Sequence, residues 1–258
     1  MIYITGDCHA DFKRFTKRER VRAGLDFRED DYVIVCGDLG LLWAHNKEYE
    51  YNLKWLGGLP FRLLWVQGNH ENYNMIKEYQ LEEWNGGKVR HIVRDKIILL
   101  ERGQVFNIDD KTFFTFGGAS SHDIEGGILD RNEPDFKKKK QLAEMYSAPY
   151  RILNEEWWTE ELPDSSELQE AEDNLEKCGY KVDYVISHCA SNSVQYKLEE
   201  YYKNVYGQNK FIKQDILTDY FEDLEKKLDY KHWYCGHYHE DIEPDDKHTI
   251  LYYRFIRL

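Results

Sequence analysis

Apolar residues along this chain come in short runs separated by polar stretches. Ile2–Thr5, Tyr32–Cys36, Arg62–Gln67, Val182–Ser187 and Lys231–Cys235 are rich in β-branched and aromatic residues, and each stops at a small or polar turn residue. Such runs predict buried strands. Charged stretches with helical spacing lie between the first three. In the second of these, Tyr49, Leu53 and Leu56 fall on one face before Gly57-Gly58 ends the pattern. Strands alternating with helices predict βαβ units. The middle of the chain differs: Lys96–Glu101, Gly103–Ile108 and Thr112–Gly117 follow one another as strands, with Asp109-Asp110-Lys111 as a hairpin turn. A β-rich section inside an α/β frame predicts two sheets packed together.

Ser120–Pro163 is irregular and polar, with Gly126-Gly127, Pro134, a Lys137–Lys140 run and Pro149. It reads as a long excursion over the surface, of the kind that often carries function, and the lysine run reads as a solvated turn. A helix follows. Asp164 is its N-cap with Glu167 in the capping-box position, Leu168, Ala171, Leu175 and Cys178 form its stripe, and Gly179 closes it. Neither an internal repeat nor a linker interrupts the chain, so residues 1–258 read as one domain.

Composition narrows the classes. A chain of 258 residues buries enough apolar surface to fold without a disulfide or structural zinc. The net charge of −13 disfavours non-specific binding to duplex nucleic acid or to an anionic membrane. Charge is uneven: six bases and one acid lie between Lys13 and Arg22, and ten acids with no base between Glu155 and Glu176. Both runs read as solvated helix faces, the alternative for the first being a basic patch that draws anionic substrate. The five cysteines show no Cys-x-x-Cys spacing and read as small buried hydrophobes. MIYITGD enters a strand at once and no segment is apolar enough to span a bilayer, so the expected location is a reducing cytoplasm.

The acids and histidines sit at the ends of the predicted strands. Asp7 and His9 follow the first in Gly6-Asp7-Cys8-His9, and Asp38 follows the second in Gly37-Asp38. Asn69 and His70 follow the third in Gly68-Asn69-His70-Glu71; His188 follows Ser187; His237 and His239 follow the last in Gly236-His237-Tyr238-His239. Loops beyond the carboxyl ends of strands converge on one crevice in an α/β sheet. Imidazole and carboxylate donors suit zinc, iron or manganese. Asp-x-His and His-x-His are expected to be short extended segments whose alternate side chains point the same way, and the preceding glycines to let the backbone turn sharply near a bound ion. Seven ligands exceed one tetrahedral site and suit two ions sharing a bridging carboxylate.

The ordered series Asp-x-His, Gly-Asp, Gly-Asn-His-Glu, a strand-end His and Gly-His-x-His, from residue 6 to residue 239, resembles the calcineurin-like metallophosphoesterase superfamily. The resemblance implies a two-sheet α-β-β-α sandwich and two divalent metal ions (manganese, iron, zinc or nickel). Asp7, His9 and His239 would hold one ion, Asn69, His188 and His237 the other, and Asp38 would bridge them. His70 would face the substrate as general acid or phosphate contact, oriented by Glu71, while a metal-bridged hydroxide attacks phosphorus. The implied activity is hydrolysis of a small phosphomonoester or phosphodiester; a nuclease or nucleotide phosphodiesterase, or a catalytically silent scaffold, are the alternatives. All seven ligands and His70 are present, which speaks against the scaffold.

Departures from the family pattern matter too. Ala10 stands where glycine is usual, and Gly37-Asp38 continues as Leu39-Gly40-Leu41, without the Asp-Arg-Gly and its phosphate-holding arginine of Ser/Thr protein phosphatases. The segment Gly117-Gly118-Ala119-Ser120-Ser121 with Asp123 and Arg131 resembles a bacterial and phage subgroup. There Arg131 is a candidate substrate contact; His122, which matches no motif, is the other candidate. His45, His91, His232 and His248 match no motif and read as structural or surface residues.

Overall fold

The computed structural model describes residues 1–258. One sheet orders β15 (Ile256–Arg257), β1 (Ile2–Thr5), β2 (Tyr32–Val35), β3 (Arg62–Trp65), β6 (Ile97–Leu100), β5 (Gly87–Val93) and β4 (Leu81–Trp84), with β1, β2, β3 and β6 parallel. The other orders β13 (Ile242–Asp245), β14 (His248–Ile250), β12 (His232–Cys235), β11 (Tyr184–Ser187), β8 (Lys111–Phe116) and β7 (Gln104–Ile108), with β14, β12, β11 and β8 parallel. Alternate residues divide each strand between two cores. Ile2, Ile4, Ile34, Leu64, Ile98, Phe106, Phe113 and Ile186 fill the space between the sheets. Their neighbours Tyr3, Val33, Val35, Leu63, Trp65 and Leu99 face outward. They meet α2 (Lys47–Gly57) and α3 (Tyr73–Ile76), which lie beyond α1 (Lys17–Arg22) in the chain.

Phe114, Phe116, Val185, Trp233 and Cys235 do the same on the second sheet. They pack against α5 (Ser165–Lys177), α6 (Asn192–Tyr206) and α7 (Ile216–Glu225), which follow α4 (Phe136–Met145). Two sheets face to face with helices outside each make the α-β-β-α sandwich. Each fully buried aliphatic or aromatic side chain in these layers contributes roughly 1.5–3 kcal/mol.

Local chemistry explains the boundaries. Asp109 and Asp110 both take positive φ (50° and 61°), the conformation of a two-residue hairpin turn that matches strand twist, so Lys111 belongs to β8 and not to the turn. The β4–β5 hairpin turns on Asn85-Gly86 in the same way, with φ of 50° and 97°. It is absent from the sequence reading although Asn-Gly is the strongest short hairpin signal. The capping box of Asp164 and Glu167 forms as expected; α6 and α7, capped by Ser191 and Asp215, are two further helices.

The excursion is more ordered than expected. Its lysine run lies in α4 as helix and not turn, with Lys139 paired to Glu133 and Asp135. On either side of α4, β9 (Ile128–Leu129) pairs in parallel with β10 (Arg151–Ile152). The segment also reaches inward: Ser121, Leu129, Arg151, Ile152, Trp158 and Glu161 are buried.

Candidate metal centre

The parallel strands of both sheets present their carboxyl ends at one edge of the sandwich, and the loops there interlock. The Gly236 amide donates to the His188 carbonyl, the His237 amide donates to Asp7 Oδ1 at 2.9 Å, and the His70 amide donates to Asp38 Oδ1 at 2.7 Å. Crowding explains the glycines. A Cβ on Gly68 would lie 1.9 Å from Asp38 Oδ1, and one on Gly236 2.1 Å from Asp7 Oδ1. These glycines make room for the acids themselves, where the expectation gave them a turning role.

Backbone strain gathers at the same place. His9, Ala10, Asp38, His237 and His239 all have positive φ, between 46° and 69°. L-residues avoid that region at a cost of about 1–2 kcal/mol each, and such outliers concentrate at functional sites. The Asp-x-His and His-x-His segments are therefore tight left-handed bends and not the extended segments expected. The bend at Ala10 also accounts for the usual glycine there.

All seven expected ligands converge. Ligand atoms of Asp7, His9 and His239 lie within 4.8 Å of one another, as do those of His9, Asp38 and His70 and those of Asp7, Asp38 and His188. His188 Nε2 stands 3.1 Å from Asn69 Oδ1 and 3.3 Å from Asp38 Oδ2, and the His237 ring lies 5.0 Å from the His188 ring, centroid to centroid. Asp7, Asp38, Asn69 and His188 are buried, whereas His9 and His239 open towards solvent.

The donor set fits a cation. His188 Nδ1 donates to the Cys36 carbonyl at 2.7 Å, which sets its Nε2 facing Asn69 Oδ1 and Asp38 Oδ2. A backbone carbonyl orienting an imidazole in this manner is the usual support of a metal-bound histidine. His9 Nε2 and His239 Nε2 likewise face each other at 2.8 Å, and the two buried carboxylates have only histidines as charge partners. Burial opposes charge on His188, yet Asp38 and Asp7 push it up to about 9. Asp7 goes down: burial works against its charge, but His188, His239, His9 and the His237 amide outweigh it.

The calcineurin-like phosphoesterase family profile matches residues 1–241. The chain belongs to that family. None of the curated proteins matches its sequence. Among solved structures, the phosphopantetheinyl hydrolase of Mycobacterium tuberculosis is similar with a TM-score of 0.42 and 13% identity, over 97% of this chain and 87% of that one. The chain is thus a hydrolase of the calcineurin-like group, with a possible metal site at Asp7, His9, Asp38 and His188. No helix is long and apolar enough to cross a membrane.

Around this calcineurin-like cluster lie groups that strand-end motifs did not flag. Arg151, side chain one-tenth exposed, grips Asp123 through Nε and Nη2 at 2.9 and 2.7 Å, donates from Nη1 to the Glu156 carbonyl, and brings Nη2 within 3.4 Å of His70 Nε2. Burial, against the pull of Asp38 and reinforced by Arg151 and His9, lowers His70 to about 4. Arg131 instead pairs with Glu155 and rests on the Phe136 ring, with no contact to a cluster residue. His122 lies beside the cluster, its ring 5.7 Å from that of His237.

Glu71 does not orient His70. Its Oε1 accepts the Leu39 amide at 3.0 Å and so braces the loop carrying Asp38. Glu161 is buried and accepts from the Ser121 amide and hydroxyl, while Ser121 Oγ accepts from Asn69 Nδ2 at 3.3 Å, which turns Asn69 Oδ1 towards His188. Arg14, from the basic run read as a solvated face, is buried and donates to the carbonyls of Gly6, Asp7 and Tyr252. Sequence signals for these groups are slight, because each acts across elements distant in the chain.

Proposed function

We propose that this protein hydrolyses a phosphate ester at a dinuclear metal centre held by Asp7, His9, Asp38, Asn69, His188, His237 and His239, with Asp38 between the ions. The observation that carries the reading is the convergence of carboxylate, carboxamide and imidazole donors at Asp7, Asp38, Asn69, His188, His9 and His239, a set that suits a divalent cation. When bound, two such ions lower the pKa of a water and stabilise the charge of the phosphoryl oxygens. Asp7, Asp38 and Asn69 are held in place by the His237 and His70 amides and by Ser121. His70, beside His9 and Asp38 with Nε2 close to Arg151 Nη2, faces the ester and assists departure of the leaving oxygen. Arg151, braced by Asp123, meets a phosphoryl oxygen in the place earlier considered for Arg131. A reducing cytoplasm suits the five free cysteines, four of them buried.

The test is hydrolysis of p-nitrophenyl phosphate beside bis-p-nitrophenyl phosphate by protein stripped of metal and reloaded with manganese. Turnover that needs the metal and is lost in Asp38→Ala and His70→Ala supports the reading. A chain that binds no metal at all would refute it. Two bound metals without turnover on any ester would favour the silent scaffold.

A further inference from the structure

Two recesses flank the cluster, and no residue lines both. The first, about 310 Å³, is bounded by His9 and His70 on the cluster side and by Leu41, Trp43, Tyr49 and Asn52 beyond them. Glu48 is its one charged residue apart from the histidines; no lysine or arginine reaches it. Its walls are fixed: Trp43 packs edge-on against buried Trp158 (5.8 Å between centroids, 82°), and the Asn46 side chain caps the Tyr49 amide. A half-exposed indole and a carboxamide in a recess without cations suit a neutral group carrying a flat ring.

The second recess, about 410 Å³, is bounded by His237 and His122 on the cluster side and by Lys210, Lys213 and Phe211 beyond. Two acids also line it, but Asp215 already accepts the Leu217 and Thr218 amides as the cap of α7, which leaves Glu125 against two lysines. Lys210 rests its ammonium over the Tyr202 ring, 4.3 Å from the centroid, and pairs with no carboxylate. Its charge is felt at His122, which is lowered by burial first and by Lys210 among the nearby charges. The recess is thus locally basic in a chain of net charge −13.

A phosphomonoester has one organic arm and needs one recess. We propose that the substrate is an asymmetric phosphodiester, its neutral ring-bearing arm in the Trp43 recess and its anionic arm in the Lys210–Lys213 recess, with the phosphoryl group at the cluster between them. The proposal rests on the hydrolytic reading above. His70 lines the first recess, so the neutral arm leaves. Water adds its oxygen to phosphorus, the bond from phosphorus to the neutral arm's oxygen breaks, and one proton of the water ends on that oxygen. The products are a neutral alcohol and a phosphomonoester that keeps the anionic arm.

Manganese-loaded protein would be given p-nitrophenyl phosphate and three p-nitrophenyl diesters whose second arm is 2-carboxyethyl, propyl or 2-aminoethyl. The expected order of kcat/KM is carboxyethyl, propyl, aminoethyl, with about tenfold between the first and last, and with the monoester below all three. Lys210→Glu with Lys213→Glu, in an exposed loop, reverses the order of the two charged arms. Trp43→Ala lowers kcat/KM on every aryl diester by about fivefold, the scale of one lost aromatic contact, and leaves their order intact. A monoester hydrolysed faster than every diester, or an order indifferent to the lysine substitutions, overturns this proposal and leaves the phosphoesterase reading standing. No turnover on any of the four esters with metal bound overturns both.

Discussion

The strand-end loops and the 120–163 excursion build the same site by different routes. Each ligand loop is short, begins at the end of a parallel strand and carries its donors within a few residues of it, so sheet topology alone brings Asp7, Asp38, Asn69, His188 and His237 together. The excursion has no such frame. It reaches the cluster through single long-range contacts: Arg151 to His70, Asp123 to Arg151, and Glu161 through Ser121 to Asn69. Loop ligands are determined by position along a strand, whereas excursion residues are determined by which partners they find. The first region should therefore fail through loss of metal and packing, and the second through loss of substrate handling with metal retained.

The largest effect belongs to the strand-end region. Asp38→Ala removes the carboxylate proposed to serve both ions, and metal content should fall from two ions per chain to one or none, with kcat down about 10³-fold or more; elemental analysis and ester hydrolysis check it. Next is Gly68→Ala, whose Cβ would sit 1.9 Å from Asp38 Oδ1. Overpacking of that kind costs about 2 kcal/mol or more, and calorimetry should show Tm lowered by roughly 4–8 °C. Arg151→Met probes the excursion: kcat/KM should drop about 10–30-fold, the scale of a lost charged phosphoryl contact, while both metals stay bound. Loss of metal in that variant would erase the distinction between the two regions.

A smaller effect is pH-dependent. Burial raises Glu161 to about 8 from an ordinary value near 4.5, although the Ser121 hydrogen bonds oppose the rise. A raised carboxyl favours the folded state fully below the unfolded pKa and loses that contribution as pH climbs through the folded one. Between about pH 5 and 9, Tm of the native chain should fall relative to Glu161→Gln, which stays neutral throughout. Equal Tm profiles for the two would show that Glu161 is not held protonated. The smallest effect is a gain: Ala10→Gly relieves a left-handed φ of 61°. Offset by the greater freedom of glycine in the unfolded chain, the net should be about 0.5 kcal/mol, a Tm rise of roughly 1–2 °C.

Legibility followed contact range. The eight strands read from the sequence all formed, with ends within about two residues, because buried strands carry their pattern locally. Asn85-Gly86 is an equally local signal, and it marks the β4–β5 hairpin. Arg131 and Arg151 show the opposite case. Both lie in the excursion and both form bidentate pairs with an acid, at Glu155 and Asp123 respectively. Nothing in their immediate sequence says which guanidinium faces His70; the β9–β10 pairing, which sets Arg151 beside Asp123, does.

By itself the sequence determined the two-sheet α/β architecture and the order at the strand ends of the seven residues proposed as metal donors, because strand pattern and strand-end chemistry span only a few residues each. Tertiary structure alone decided the left-handed bends that aim His9, Asp38, His237 and His239, the glycine gaps filled by Asp7 and Asp38, the assignment of Glu71 to the Leu39 amide, and the choice of Arg151 over Arg131 at His70. Each of these depends on atoms tens to hundreds of residues apart, and a close contact between such atoms exists only once both sheets have packed.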